Sequence, residues 1–232
     1  MYLQAVINRY LPISDPAPVP VVLDQFPYLE SVSLSGSHAK GTALRSSDLD
    51  LFLSFSPSTP GPLSALLPSL AAYFRYYQPE IRNVSVKIHV DHQAIDLVPG
   101  RRREGSDFHT LWQSRRDTWL QTNIQEQIRH VRASGLLNEI RALKIWTRRH
   151  NLRFPSFAQE LTVIRALTPN SPISESFLAL LRFLSTDFPT ARLIDPANSN
   201  NIVSDVLTQE EKHRIAETAA ISVRAETWPE IL

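Results

Sequence analysis

Leu3, Val6, Ile7 and Tyr10 recur at helical spacing in the first eleven residues, and the proline-rich ISDPAPVPVV that follows ends that helix. A short helical or irregular segment then leads to SVSLSG. From there to about residue 100 the apolar period shortens to two. Val32 and Leu34 alternate with serines before Gly36, DLDLFLSF alternates over eight residues, and VSVKIHV and QAIDLV predict two further strands. Between them PLSALLPSLAAYFRYY reads as a helix crossing over the sheet. After Pro99 the period lengthens again. Arg115 to Ser134, Leu137 to Asn151, Ser156 to Leu167, Ser174 to Leu184 and Gln209 to Arg224 predict helices. The polar, unpatterned RRREGSD places a boundary near residue 105. The pattern therefore predicts an α+β fold of two lobes. Residues 1–105 form an N-terminal helix and a small mixed sheet, and residues 106–232 form a helical lobe.

Composition narrows the chemistry. The chain has 232 residues, 43% of them hydrophobic, enough for a real core. It has no cysteine, which excludes disulfides and thiolate metal sites and leaves oxygen or imidazole ligands, a set suited to a hard ion such as magnesium. MYLQAVINRYLP has neither a basic leader nor a long apolar core, and the most apolar stretch, Pro62 to Phe74, is interrupted by Ser64, Pro68 and Ser69. A cytoplasmic protein is expected. The net charge of +1 conceals a basic run from Arg101, Arg102 and Arg103 through Arg115 and Arg116 to Arg141, Lys144, Arg148, Arg149 and Arg153. Such a surface suits a polyphosphate or nucleic-acid ligand.

The informative segment is SLSGSHAKGTALRSSDLDLFLSF. On an extended strand, residues two apart share a face, so Asp48 and Asp50 present their carboxylates side by side while Leu49, Leu51 and Leu53 take the buried face. Two adjacent anions repel, and a divalent cation is the simplest reason to keep them together. Asp96, centred in the apolar strand QAIDLV, needs a partner, and a neighbouring strand bearing Asp48 and Asp50 can supply one through a shared metal. Three carboxylates on one sheet face are what two-metal phosphoryl transfer requires. Gly36 permits a close approach of backbone to phosphate, and Ser37 adds a hydroxyl. Arg141, Lys144 and Arg148 form a basic stripe beside Leu136, Ile140 and Leu143. Ser156 and Gln159 have the S-x-x-Q spacing of a capping box, which predicts a helix N-terminus able to meet an anion. His38 follows the Gly36-Ser37 turn and is within reach of whatever that turn binds.

The glycine-serine turn, the DLD pair and the later IDLVP strand resemble the polymerase-β-type nucleotidyltransferase superfamily. The similarity is closest to its oligoadenylate-synthase and bacterial cyclic-oligonucleotide-synthase branch, the CD-NTases. GSHAKGTALRSSDLDLFL, DTWLQTNIQEQIRHVRASG, LNEIRALKIWTRRHNLRFPSFAQELTVI and LIDPANSNNIVSDVLTQEE each resemble segments of that branch. The resemblance implies a two-lobed polymerase-β-like fold whose helical lobe closes a nucleotide cleft. It implies two magnesium or manganese ions held by Asp48, Asp50 and Asp96, donor-triphosphate contacts from Gly36 and Ser37, and phosphate contacts from Lys144 and Ser156. It further implies that nucleoside triphosphates, ATP first and GTP second, are joined into a cyclic or linear oligonucleotide messenger in anti-phage signalling. Two alternatives remain open on the residues alone: nucleotidyl transfer to an RNA end or a small molecule, and nucleotide binding without turnover.

Overall fold

The computed structural model describes residues 2–11, 26–90 and 93–232. The proline-rich ISDPAPVPVV stretch and its continuation to residue 25 lie outside the described residues, as do residues 91 and 92, between the VSVKIHV and QAIDLV strands. The chain divides into two compact units. One comprises Met1–Ile13, Gly41–Ser46 and Arg129–Leu232, the other Ser14–Lys40 and Ser47–Ile128.

The second unit is built on a sheet. Its elements in chain order are β1 (Leu29–Ser35), α2 (Gly36–Lys40), β2 (Leu49–Phe55), α3 (Leu66–Tyr73), β3 (Glu80–Ile81), β4 (Val86–Val90), β5 (Gln93–Arg102), β6 (His109–Gln113) and β7 (Thr118–Thr122). The strand order is β1-β2-β5-β4-β3, and β6 and β7 continue from β5. β2 and β5 are parallel, and every other pairing is antiparallel. A parallel pair needs a crossover, which begins with the predicted helix α3. Pro68 sits in the first turn of α3, where its missing N–H breaks no helical bond. Leu66, Leu67, Leu70 and Phe74 cover one sheet face, packing on Leu49, Leu53, Phe55, Val86, Ile88, Ile95 and Leu97. Strict alternation leaves the other face to Asp50, Phe52 and Ser54 of β2 and to Asp96 of β5.

The helix expected from Arg115 to Ser134 is corrected: α4 covers Ile124–Ala133 alone, and the preceding residues form the β6–β7 hairpin. Cross-strand pairs Leu111↔Leu120 and Trp112↔Trp119 hold that hairpin, and Asp117 (φ 49°) adopts the left-handed turn conformation. Aromatic and other apolar pairs facing each other stabilise strands, a gain that the separated halves HTLWQ and TWLQT do not display singly.

The other unit is helical, with α1 (Tyr2–Tyr10), α5 (Leu137–Arg149), α6 (Ser156–Ala166), α7 (Ile173–Thr186), α8 (Gln209–Arg224) and the short α9 (Trp228–Ile231). Its core joins Leu3 and Ile7 to Ile140, Leu143, Trp146, Phe177, Leu180, Leu184 and Ile215, all nearly or fully inaccessible. Burying each such side chain contributes roughly 1.5–3 kcal/mol against the exposed chain. Trp146 Nε1 donates to Ser222 Oγ at 3.0 Å, so the largest core side chain leaves no polar atom unsatisfied. Thr208 and Glu211 form a complete capping box at the start of α8. Pro196 and Ala197 form the turn of a small hairpin, β8 (Ile194–Asp195) with β9 (Asn198–Ile202). Buried Asp195 accepts from the Ala197 amide at 2.9 Å and from Asn201 Nδ2 at 3.0 Å.

Candidate active site

Asp50 and Asp96 are register partners on the parallel strands β2 and β5. The same row continues through Ser35↔Asp50 on one side and Lys87↔Asp96 on the other. Because register partners point the same way, one line across the sheet carries Ser35, Asp50, Asp96 and Lys87 on the face opposite the α3 core. Asp48 lies just before β2, at the alternation position that shares this face. The carboxylates singled out in the sequence are thus brought to one face.

The Gly36 turn is pressed against the same acids. Gly36 has φ +58°, and a Cβ built on it would stand 1.8 Å from Asp50 Oδ2. Glycine is required twice here, by the left-handed backbone and by the approach of a carboxylate. The Ser37 backbone N–H donates to Asp50. His38, next in the chain, has its Nε2 buried without a hydrogen-bond partner, the kind of group a ligand satisfies.

Electrostatics sharpen the arrangement. Burial, then Asp96, pushes the Asp50 carboxyl up to about 6, with Asp48 adding to the rise and Lys40 opposing it. The Lys87 ammonium donates to Asp48 Oδ2 and lies 3.6 Å from Asp96 Oδ2. Ser85 Oγ donates to the other Asp96 oxygen, Oδ1, at 2.9 Å. Lys87 and Ser85 were not evident from the sequence. Only the flanking Val86 and Ile88, which face the core, signal that Lys87 must face the acids.

Among the described residues no three carboxylate, imidazole or thiolate side chains converge on one ready-made metal position. The donor chemistry nevertheless fits a hard divalent cation. Three carboxylates share a face, burial and then their mutual repulsion raise the pKa of Asp50, and an ammonium stands where positive charge is needed.

Lys144 and Ser156 belong to the helical unit. Lys144 is 5% exposed; its Nζ lies 3.0 Å from Thr42 Oγ1, 3.3 Å from the Thr42 carbonyl and 3.2 Å from Glu160 Oε1. The predicted basic stripe is turned onto one stretch of chain. Arg141 Nη2 donates to the Gly41 carbonyl at 2.6 Å, and Arg148 donates to Ser46 Oγ. Ser156 is the first residue of α6, but the expected capping box is absent: Pro155 occupies the cap with no side-chain bond. Gln159 instead donates to the Phe154 carbonyl at 2.5 Å and accepts from Thr147 at 3.4 Å, so its side chain is drawn into the core rather than back to the cap.

A cavity of about 350 Å³ opens among β1, β2 and β6. Ser33↔Phe52 and Ser31↔Ser54 are register partners two and four residues along β2 from Asp50, so the cavity lies on the carboxylate face. Ser54 Oγ and His109 Nε2 are 2.8 Å apart, and the Phe52 and His109 rings meet edge to face at 4.8 Å. Burial lowers the His109 pKa, favouring the neutral imidazole. Arg102 closes one wall through a two-pronged pair with Glu30, at 2.7 and 2.9 Å.

The family model for the nucleotidyltransferase domain matches residues 20–108, the stretch that holds the Gly36 turn and all three acids. E. coli MS115-1 CdnC, solved in complex with HORMA-deltaN, is 25% identical, with 88% of this chain covering 80% of that one at a TM-score of 0.69. The Elizabethkingia meningoseptica CdnE cyclic dinucleotide synthase, solved with GTP and Apcpp, is 12% identical and shares the fold over 96% of this chain and 98% of its own, TM-score 0.73. The Cid1 poly(U) polymerase, 13% identical, shares it over 98% and 95%, TM-score 0.67. No curated protein matches the chain in sequence. The fold is that of the polymerase-β-like nucleotidyltransferases. The chain carries a nucleotidyltransferase domain, its structural neighbours include bacterial CD-NTases, and it is a nucleotidyltransferase enzyme.

Proposed function

We propose that this enzyme joins nucleoside triphosphates, ATP first and GTP second, into a cyclic or linear oligonucleotide messenger, releasing pyrophosphate, in anti-phage signalling. The observation that carries this reading is the row Asp50–Asp96 with Asp48 on one sheet face, against the Gly36 turn. The reaction forms a bond between a ribose hydroxyl oxygen and the α-phosphorus of a second nucleotide and breaks the bond from that phosphorus to pyrophosphate. Asp48, Asp50 and Asp96 hold magnesium or manganese, two ions in all. Bound there, the metal supplies positive charge to the attacking oxygen and to the departing pyrophosphate. The Gly36 backbone and the Ser37 hydroxyl receive the donor triphosphate, the Ser37 N–H being engaged by Asp50, with His38 Nε2 as a further partner. The cavity beside Phe52, Ser54 and His109 takes the acceptor nucleoside, whose size it suits. Ser156 and Lys144 are the remaining phosphate contacts of this reading. Lys144 reaches a phosphate only by releasing Thr42 or Glu160.

Purified enzyme incubated with labelled nucleoside triphosphates, singly and mixed, with magnesium or manganese, is expected to give a phosphatase-resistant product. Asp50→Asn should abolish that product while leaving the circular dichroism spectrum unchanged, and product made by Asp50→Asn would refute the site. A second reading has one observation behind it, the near-complete overlap in fold with a poly(U) polymerase. Label appearing on added RNA, with no free oligonucleotide, would establish that reading instead.

A further inference from the structure

We propose that Lys87 is the resident counter-ion of the acid cluster, a positioning residue whose ammonium holds Asp48 and Asp96 in the absence of a divalent cation and competes with that cation for both. The proposal rests on the reading that these acids hold the metal.

Lys87 is placed by the fold rather than by its own flexibility. Val86 and Ile88, each 0% exposed, anchor β4 in the core on either side of it. Its register partner is Asp96, and it passes that residue to donate to Asp48, two strands away. Its side chain is 16% exposed and that of Asp96 17%, so the Lys87–Asp96 pair is largely shielded from solvent, whereas the Asp48 side chain is 42% exposed. The oxygens of Asp96 are divided, Oδ1 to Ser85 and Oδ2 to Lys87. A cation drawing on Asp96 Oδ2 and Asp48 Oδ2 must therefore displace the ammonium or share the oxygens with it.

The charge balance sets the size of the effect. Asp48, Asp50 and Asp96 against Lys40 and Lys87 leave one net negative charge, and removing Lys87 leaves two. An additional unit of negative charge within a few ångström, partly shielded from water, favours a divalent cation by about tenfold or more.

The test is titration of purified full-length enzyme with Mn²⁺, with no nucleotide present, reading free Mn²⁺ by electron paramagnetic resonance. Wild type, Asp50→Asn, Lys87→Met and Lys87→Arg are compared. The expected result is Mn²⁺ affinity lost in Asp50→Asn, about tenfold tighter in Lys87→Met, and close to wild type in Lys87→Arg, which keeps the charge. Equal binding by wild type and Asp50→Asn sinks the metal-site reading. Binding lost in Asp50→Asn but unchanged or weaker in Lys87→Met sinks only the assignment of Lys87. Should Lys87→Met fail to fold without metal, recovery in millimolar Mn²⁺ supports the proposal, and failure with Mn²⁺ present overturns it.

Discussion

Asp50 and Asp96 stand directly opposite each other on neighbouring parallel strands, 46 residues apart in the chain and one strand spacing apart in the sheet. A parallel pair forces both side chains onto the same face, so neither acid can move to the opposite face without breaking the β2–β5 ladder. The cost appears at Asp50, whose carboxyl is pushed from 3.8 to about 6 by burial and by Asp96.

That shift predicts a pH dependence of the metal-free enzyme. The folded chain binds the Asp50 proton more tightly than the unfolded chain does. Its contribution to stability is therefore fully present below about pH 4, declines as pH rises towards 6 and stays lost above. Asp50→Asn cannot ionise. It should stabilise the metal-free fold at pH 7.5 by on the order of 2–3 kcal/mol and change little at pH 4. Urea unfolding in EDTA at the two pH values measures this, and a less stable variant at pH 7.5 would contradict the assigned shift.

Gly36→Ala should be severe. The left-handed backbone costs alanine about 1–2 kcal/mol, and its Cβ would meet the Asp50 carboxylate. We expect nucleotidyl transfer reduced by at least about a hundredfold, since an ångström of misplacement at reacting groups costs that much. Activity within tenfold of wild type would show that the turn does not position the acids.

In the helical unit, Glu160→Ala leaves the buried Lys144 ammonium without its carboxylate. The loss should be roughly 3–5 kcal/mol, whereas the double change Glu160→Leu with Lys144→Met should recover most of it, because unpaired buried charge is the source of the cost. Chemical denaturation of the single and double variants decides this. Equal destabilisation of both would place the cost in packing instead.

His109→Ala tests the cavity on the carboxylate face. It removes the edge-to-face contact with Phe52 and the bond to Ser54 without touching the acids. The expected outcome is a KM for nucleoside triphosphate raised about tenfold with kcat within a few-fold, the pattern of lost binding common to ground and transition states. A fall in kcat at unchanged KM would assign His109 to the chemical step.

Much of the site was legible because strand alternation is local. DLDLFLSF by itself puts leucines on one face and aspartates on the other, and the packing of Leu49 and Leu53 under α3 follows that division. The long amphipathic segments that became α5, α6, α7 and α8 were legible for the same reason: a period of 3.6 repeats within a few turns. The β6–β7 hairpin was missed because each half is five residues long and gains its stability from the other. The Ser156 motif was misread because Gln159 has a better use in the core, where Thr147 and the Phe154 carbonyl engage it.

By itself the sequence determined which residues alternate, where helices run, that three acids lie in strands, and that Gly36 marks a tight turn. Tertiary structure alone decided which acid faces which, that Lys87 reaches Asp48 past Asp96, and that Arg141 and Lys144 of α5 turn to Gly41 and Thr42 rather than to solvent. Periodicity is set by the geometry of a single element and survives in one dimension. Strand register and long-range ion pairs are set by how separate elements share one core, and the free energy that selects among them exists only once those elements meet.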